Sequence, residues 1–337
     1  LLLCLCCNFS VTVRDRDGSS FFILGNSFYN SPTPATYILD WPGQAYYDMT
    51  RKPEKGRECM PLSDTRRAEL EALCRKFRID VLTALHEAQS GHPGGSLSVC
   101  EILTVIYFEK ARLDSSDPGW ADRDRIVLSK GHAAPMLYRI LAEKGYFPLE
   151  EMKTLRKIDS LLQGHPSMHT PGVDISSGPL GVAFGAAQGM AIAKKLDGSN
   201  ARVYAILGDG ETEEGAVWEV AMSAVKFKLD NLTAVLDLNG VQLDGKTEDI
   251  MPLGDVPAKW RAFGWNVIEC DGHDVGALSD AFDMAAAHKN RPTMIIAKTV
   301  KGKGVSFMEG NYAWHGKAVS DEDFTCAIGE LGGECDA

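Results

Sequence analysis

Gly208-Asp209-Gly210-Glu211 closes one apolar run, Val203 to Leu207, and Leu238-Asn239-Gly240 closes the next. These residue types suit one task, holding an oxyanion through a divalent cation. Asp209 offers a hard carboxylate oxygen, Asn239 a carboxamide oxygen and Val241 its carbonyl. Gly208 and Gly210 let the backbone approach an anion closely. Apolar runs of five to seven residues read as buried strands, so both tips fall at the carboxyl edge of a parallel sheet, where such sheets bind ligands. A magnesium ion held this way keeps its remaining positions for phosphate oxygens. Taken alone, the Asp209, Glu211, Glu213 run has a second, less favoured reading as a solvated acidic loop or a weak calcium site.

Four of the eight histidines adjoin glycine at the ends of expected elements: Gly91-His92, Gly131-His132, Gly164-His165 and His315-Gly316. An imidazole in a bendable loop can donate to phosphate, polarise a carbonyl or carry a proton. Each one separately could be a loop histidine bonded to a carbonyl; four at one expected edge favour a shared site. His86 and His288 fall in helical patterns and read as surface residues, and His169 and His273 stay undecided.

The elements that must position these residues follow from periodicity. Ser63 caps a helix with Leu70, Leu73, Phe77, Val81 and Leu85 on one stripe. That helix stops before Ser90, and a second is expected to start near Ser96, with Val99, Leu103, Ile106 and Tyr107 on its face. A short strand over 125–129 leads to Lys130-Gly131-His132, and a helix bearing Met136, Leu137, Ile140 and Leu141 follows. Residues 161–178 read as loop. A helix rich in small residues spans 181–195, and strands are expected over 202–207, 232–238, 265–270 and 293–298. This alternation predicts an α/β fold, a mostly parallel, doubly wound sheet with helices on both faces.

Bulk properties exclude several classes. With 45% hydrophobic and 24% charged residues the 337-residue chain is a globular protein. It has no apolar run long enough to span a membrane. A net charge of −11 argues against a nucleic-acid surface, so an anionic ligand must be met by local His, Lys and backbone amides. Nine cysteines without paired metal spacing fit a reducing, cytoplasmic compartment. Residues 1–59 look foreign: the first fifty hold no lysine, and their aromatics show no period. They read as a non-native or disordered extension with Met60 as the start, or as a genuine extra arm. The domain is expected over 60–317, with 318–337 a closing helix and Gly-rich tail.

Five segments then occur in order: Ser90 to Ser98 (SerGlyHisProGlyGlySerLeuSer), Leu128 to Tyr138 (LeuSerLysGlyHisAlaAlaProMetLeuTyr), Ser176 to Gly181 (SerSerGlyProLeuGly), Gly208 to Gly215 (GlyAspGlyGluThrGluGluGly), and LysGlyLysGly with TrpHisGlyLys between Lys301 and Lys317. Together with the 28 residues separating Gly210 from Asn239, they resemble the amino-terminal half of transketolase, from about residue 64 to residue 320. The resemblance implies a thiamine-diphosphate-binding, pyrophosphate-type domain. On it, His132, Gly178, Pro179, Leu180, Gly210, Asn239, Lys301 and His315 contact thiamine diphosphate, and Asp209, Asn239 and the Val241 carbonyl bind Mg2+ (or Ca2+). His92, His165 and His315 surround the donor ketose. Glu214 matches a glutamate that couples two active sites across a dimer, though it is equally a helix-start glutamate favoured by the macrodipole.

The implied reaction is transfer of a two-carbon ketol unit from a ketose phosphate to an aldose phosphate. Full-length transketolases carry a pyrimidine-binding domain and a third domain beyond the matched region. The resemblance therefore implies either the N-terminal subunit of a split transketolase, partnered by a C-terminal subunit in an α2β2 assembly, or a piece of a longer gene. The Gly-rich end favours the split subunit. Deoxyxylulose-phosphate synthase, the 2-oxoacid dehydrogenase components and a cofactor-binding subunit without activity of its own are the alternatives. SerGlyProLeuGly, TrpHisGlyLys and the retained histidines speak against them. Two departures stand out: Leu238 where many members have Asn or Asp, and Gly95 where some relatives carry a hydroxyl.

Overall fold

The computed structural model describes residues 61–333, together with the backbone of two short strands, β1 (Val11–Arg14) and β2 (Ser20–Ile23). These two pair antiparallel, Val11 opposite Ile23. The expectation of an extension over 1–59 otherwise lies outside the described residues, as do residues 334–337.

Helix α1 (Asp64–Ala88) begins where the sequence places it: the Ser63 hydroxyl accepts the Arg66 amide at 3.2 Å. It buries Leu70, Phe77, Val81 and Leu85. It ends at Gln89, whose left-handed backbone (φ 47°) turns the chain into Gly91-His92. The next helix departs from expectation. It starts at Pro93, not near Ser96: α2 (Pro93–Ser98) has His92 as its N-cap. Pro93 is pre-set for a first helical turn, and it outweighs the breaking tendency of two glycines. Those glycines are needed for space, since a Cβ on Gly94 would lie 2.8 Å from the Trp314 carbonyl and one on Gly95 2.9 Å from His132 Nε2. Helix α3 (Cys100–Val105) follows, closed by a π-turn over Ile106–Lys110.

From there strands and helices alternate. Strand β3 (Arg125–Leu128) leads through a tight turn into α4 (Ala134–Glu143), and a loop-rich stretch reaches α5 (Val182–Leu196). Then come β4 (Val203–Gly208), α6 (Gly215–Lys226), β5 (Leu232–Leu238), the short α7 (Thr247–Ile250), α8 (Val256–Ala262), β6 (Asn266–Asp271), α9 (Val275–Ala287), β7 (Thr293–Lys298) and α10 (Asp321–Glu330). The sheet runs β3-β4-β5-β7-β6 with every pairing parallel. Successive strand residues face opposite sides. Tyr204, Ile206, Val235 and Ile295 therefore pack with α1, α4 and α9, while Ala205, Leu207, Leu236 and Ile296 pack with α5, α6 and α8. Two buried faces explain why the strands read as continuous apolar runs rather than alternating ones. Helix α5 meets the sheet through Ala183, Ala187 and Ala191, as its small residues predict. Residues 318–333, set apart from the sequence as part of a tail, join the same body: Ala327 and Ile328 of α10 are buried in the cluster that α1 occupies.

His288 lies just past α9 as its C-cap rather than inside the helix. Among the described residues no helix is long and apolar enough to cross a membrane, and Cys74, Cys100, Cys270 and Cys326 are free thiols.

Candidate active site

The tips of β4 and β5 are neighbours, Gly208 registering with Asp237. Asp209 leaves β4 with its side chain 3% exposed. Its Oδ1 accepts the Gly210 amide at 2.8 Å, and its Oδ2 accepts the Gly240 amide, immediately after Asn239. Burial, with the nearby Asp237 charge adding, raises the Asp209 pKa to about 6. A buried carboxylate pushed upward in this way is suited to a cation that reverses its desolvation. Asn239 turns its Oδ1 back to the Val241 amide at 3.1 Å. The Val241 carbonyl accepts the Lys301 ammonium at 2.9 Å. Asp209, Asn239 and Val241 thus share one edge, with Gly210 close enough that a Cβ there would lie 3.1 Å from Gln242 Oε1.

The four glycine-flanked histidines converge beside that edge. Ring centroids lie 5.6 Å apart for His92 and His132, 5.5 Å for His92 and His315, 6.2 Å for His92 and His165, and 4.9 Å for the stacked His132 and His315. Burial lowers all four, and neighbouring cations add to it. His92 falls to about 4, with Arg156, His165 and Lys301 contributing, and His315 to about 3, with Lys301 the largest added charge. His132 and His165 move the same way. All four rings are neutral at pH 7 and can each donate and accept.

His315 has a defined tautomer. Its Nδ1 lies 2.7 Å from Lys301 Nζ, and an ammonium can only donate. Nδ1 therefore accepts, and the ring proton sits on Nε2. Burial brings the Lys301 pKa down to about 8, the Lys130 charge helping, which leaves the ammonium charged at neutral pH. Tyr138 donates to the His165 carbonyl at 2.8 Å and holds that loop.

The loop before α5 reaches the same place. A Cβ on Gly178 would lie 3.5 Å from the His165 ring, and one on Gly131 only 2.7 Å from Ser177 Oγ. Pro179 and Leu180 stand next to it, Leu180 exposed. Gly181, in the left-handed region at φ 77°, turns that loop into α5. Glu214 is not part of this cluster: it is exposed as the N-cap of α6, and its side chain makes no capping hydrogen bond. His169 is exposed as well. His273 is structural: its Nε2 accepts the Val300 amide at 2.8 Å, so its Nδ1 carries the proton facing Glu101 at 2.9 Å.

Sequence reasoning missed the supports underneath. Lys130 and Asp237 form a buried ion pair, joined by Ser98 Oγ, which donates to Asp237 at 2.6 Å, and by the Thr299 hydroxyl. The signal was present, an aspartate inside the apolar strand Leu232–Leu238. Glu211, read as part of a possible solvated loop, is 2% exposed. It accepts the Gly181 amide at 2.8 Å, the Gly208 amide at 3.1 Å and the Ser129 hydroxyl, tying the β3, β4 and α5 loops together.

The edge fits a metal-held diphosphate by its own features. It combines three hard oxygens, a cationic lysine, glycines where a Cβ would collide, and buried polar atoms at His92 Nδ1, Ser177 Oγ and Gln242 Nε2 with no partner among the described residues. The sequence comparisons agree with that chemistry: the family described as transketolase, thiamine diphosphate binding domain, matches residues 70–336. The chain belongs to the transketolase family. It is a transketolase-type transferase, and its cofactor is thiamine diphosphate with a divalent metal.

Two relatives are themselves subunits. The 6-deoxy-6-sulfo-D-fructose transketolase subunit SqwG of a Clostridium species is 46% identical over 242 residues, 72% of this chain and 88% of that protein. An apulose-4-phosphate transketolase subunit of Phocaeicola vulgatus is 38% identical over 262 residues, 78% of this chain and 93% of that protein. Human transketolase is 43% identical over 251 residues, but the match covers only 40% of its length. The solved transketolase of Pichia stipitis with sedoheptulose-7-phosphate superposes with a TM-score of 0.76 at 31% identity, over 79% of this chain and 41% of that one. The chain therefore spans most of the subunit-type relatives and about two fifths of the full-length transketolases. These relatives do not favour the deoxyxylulose-phosphate synthase alternative.

Proposed function

We propose that this chain is the cofactor-anchoring subunit of a two-subunit transketolase. Together with a C-terminal partner subunit, in an α2β2 assembly, it moves a two-carbon ketol unit from a ketose phosphate to an aldose phosphate. The observation that carries this reading is the meeting of Asp209 and Asn239 at adjacent strand tips beside four neutral histidines. When bound, thiamine diphosphate supplies a nucleophilic carbon and an electron sink for carbon–carbon cleavage.

The residues of this chain divide the remaining work. Asp209, Asn239 and the Val241 carbonyl offer oxygens to Mg2+ (or Ca2+). Lys301, His132, Gly210 and the Gly178-Pro179-Leu180 turn line the cofactor. His315 presents Nε2–H to the donor sugar while its Nδ1 stays bonded to Lys301. His92 and His165, neutral at working pH, can take or return hydroxyl protons. Glu214, exposed at the start of α6, is available to couple two sites across an assembly. The four cysteines among the described residues are free thiols, which supports a cytoplasmic setting.

The partner is supported by the relatives named as subunits, which this chain matches along nearly their whole length. Calorimetric titration with thiamine diphosphate, with and without Mg2+, tests the anchoring role; no metal-dependent binding refutes it. Ketol transfer by the purified chain alone would refute the need for a partner.

A further inference from the structure

Two thiols that the roles above do not use meet between α1 and α3. Cys74 is 2% exposed and Cys100 is fully buried. The Cys100 thiol donates to the Cys74 carbonyl at 3.5 Å. The two sulfurs lie within 4.8 Å of each other and of a Glu101 carboxylate oxygen.

Two thiols beside a carboxylate suit a metal by residue type, but both Glu101 oxygens are already engaged. Arg78, one helical turn after Cys74, is buried and bonds the two oxygens at 2.7 Å each. His273 Nδ1 faces the same carboxylate at 2.9 Å. The chemistry left to the cluster is that of its sulfurs. Burial holds the Cys100 thiol well above its ordinary range, its bond with Cys74 adds to this, and the Arg78 charge opposes both. That charge favours the thiolate, which is the form that reacts. Burial restricts access, so oxidation waits on a local parting of α1 and α3 and admits only a small oxidant.

The pair is wired to the candidate site. Glu101 follows Cys100 directly and faces His273, whose Nε2 accepts the Val300 amide at 2.8 Å. Val300 precedes Lys301, whose ammonium bonds the Val241 carbonyl and His315.

We infer that Cys74 and Cys100 are a redox switch: a peroxide joins them as a disulfide, which displaces Glu101 and, through His273 and Val300, loosens Lys301. One sulfur attacks the peroxide, breaks its O–O bond and becomes a sulfenic acid as a first water leaves. The second sulfur attacks the first, forms the S–S bond and releases the oxygen as a second water. The sulfurs give up two electrons to the peroxide, and the two thiol protons leave in the waters. A dithiol reverses the reaction, so in a reducing compartment the bond is transient. Disulfide formation is independent of the function proposed above; its effect on the cofactor rests on that reading.

The test treats the whole chain, first reduced with dithiothreitol, with hydrogen peroxide and maps its peptides by mass spectrometry without reductant. A linked Cys74–Cys100 peptide should accumulate and should vanish when dithiothreitol is added back. The ring-nitrogen NMR signals of His273 should shift with it. Mg2+-dependent thiamine diphosphate binding, measured by calorimetry, should weaken about tenfold, the scale for disturbing groups that orient metal ligands. Cys74→Ala and Cys100→Ala should form no such link and should keep their affinity in peroxide. Oxidation of the exposed Cys326 with no linked peptide overturns the inference. A linked peptide with unmoved His273 signals or with unchanged cofactor affinity overturns it as well. A reduced chain that binds no cofactor overturns the proposed function instead, and the peptide map and His273 signals still decide the switch.

Discussion

Lys130 and Asp237 form an ion pair with side-chain exposures of 1% and 0%. The same aspartate accepts from Ser98 and Thr299. Two residues beyond Lys130 lies His132, two beyond Asp237 lies Asn239, and two beyond Thr299 lies Lys301. One carboxylate therefore ties together the exits of β3, β5 and β7, while Ser98 adds the helix that His92 caps. Removing one partner strands a buried charge. Asp237→Asn should cost about 3–5 kcal/mol of stability, whereas Lys130→Met with Asp237→Leu should recover most of that loss. Urea unfolding of the single and double variants decides it. A double variant as unstable as the sum of the singles would show that the pair does not act as a unit.

Glu101 sets an acid limit on the fold. Burial alone would raise its pKa, but the Arg78 charge and the His273 hydrogen bond outweigh burial and bring it from 4.5 down to about 2. A carboxylate depressed in the native state stabilises fully above its unfolded pKa and loses that contribution as pH falls toward the folded value. The contribution, about 3 kcal/mol, should therefore fade between about pH 4.5 and pH 2. Thermal melts of Glu101→Gln across this range should show a flatter acid limb than wild type. Parallel limbs would mean that other carboxylates govern acid unfolding.

Much of this is legible in the sequence, and the failures have physical causes. The strand tips are readable because a parallel sheet buried on both faces leaves uninterrupted apolar runs, and Asp209 and Asn239 interrupt them at their ends. The four histidines can be grouped because glycine marks each loop. The start of α2 is misplaced from sequence because two glycines suggest a loop, and only the packed Trp314 carbonyl and His132 ring explain why they sit in a helix. The Lys130–Asp237 pair is invisible there because its partners are distant in sequence and meet only through strand order.

Substituting Asp209 tests the proposed metal binding separately from folding. Asp209→Asn keeps an acceptor for the Gly210 or Gly240 amide while removing the charge that burial already opposes. The variant should melt within a few degrees of wild type. Loss of groups that merely orient metal ligands costs roughly 10–100-fold in metal affinity. Loss of a ligand charge should therefore weaken Mg2+-dependent thiamine diphosphate binding by at least about a hundredfold. Calorimetry with and without chelator measures this. Undiminished affinity would remove Asp209 from the metal site.

Lys301 fixes the proton on His315, and that arrangement can be read directly. With the ammonium 2.7 Å from Nδ1, the neutral ring is held as the Nε2–H tautomer. In Lys301→Met, Nδ1 loses its donor and the ring becomes free to exchange its proton between the two nitrogens. Two consequences follow with opposite sensitivities. The nitrogen chemical shifts of His315 should move from a single tautomer toward a mixture. The His315 pKa, held near 3 by burial and then by the Lys301 charge, should rise toward the ordinary histidine range without reaching it, because burial remains. A shift in pKa with an unchanged tautomer would mean that Lys301 acts only as a charge and that another group orients the ring. No change in either would place the Lys301 ammonium away from His315 in solution.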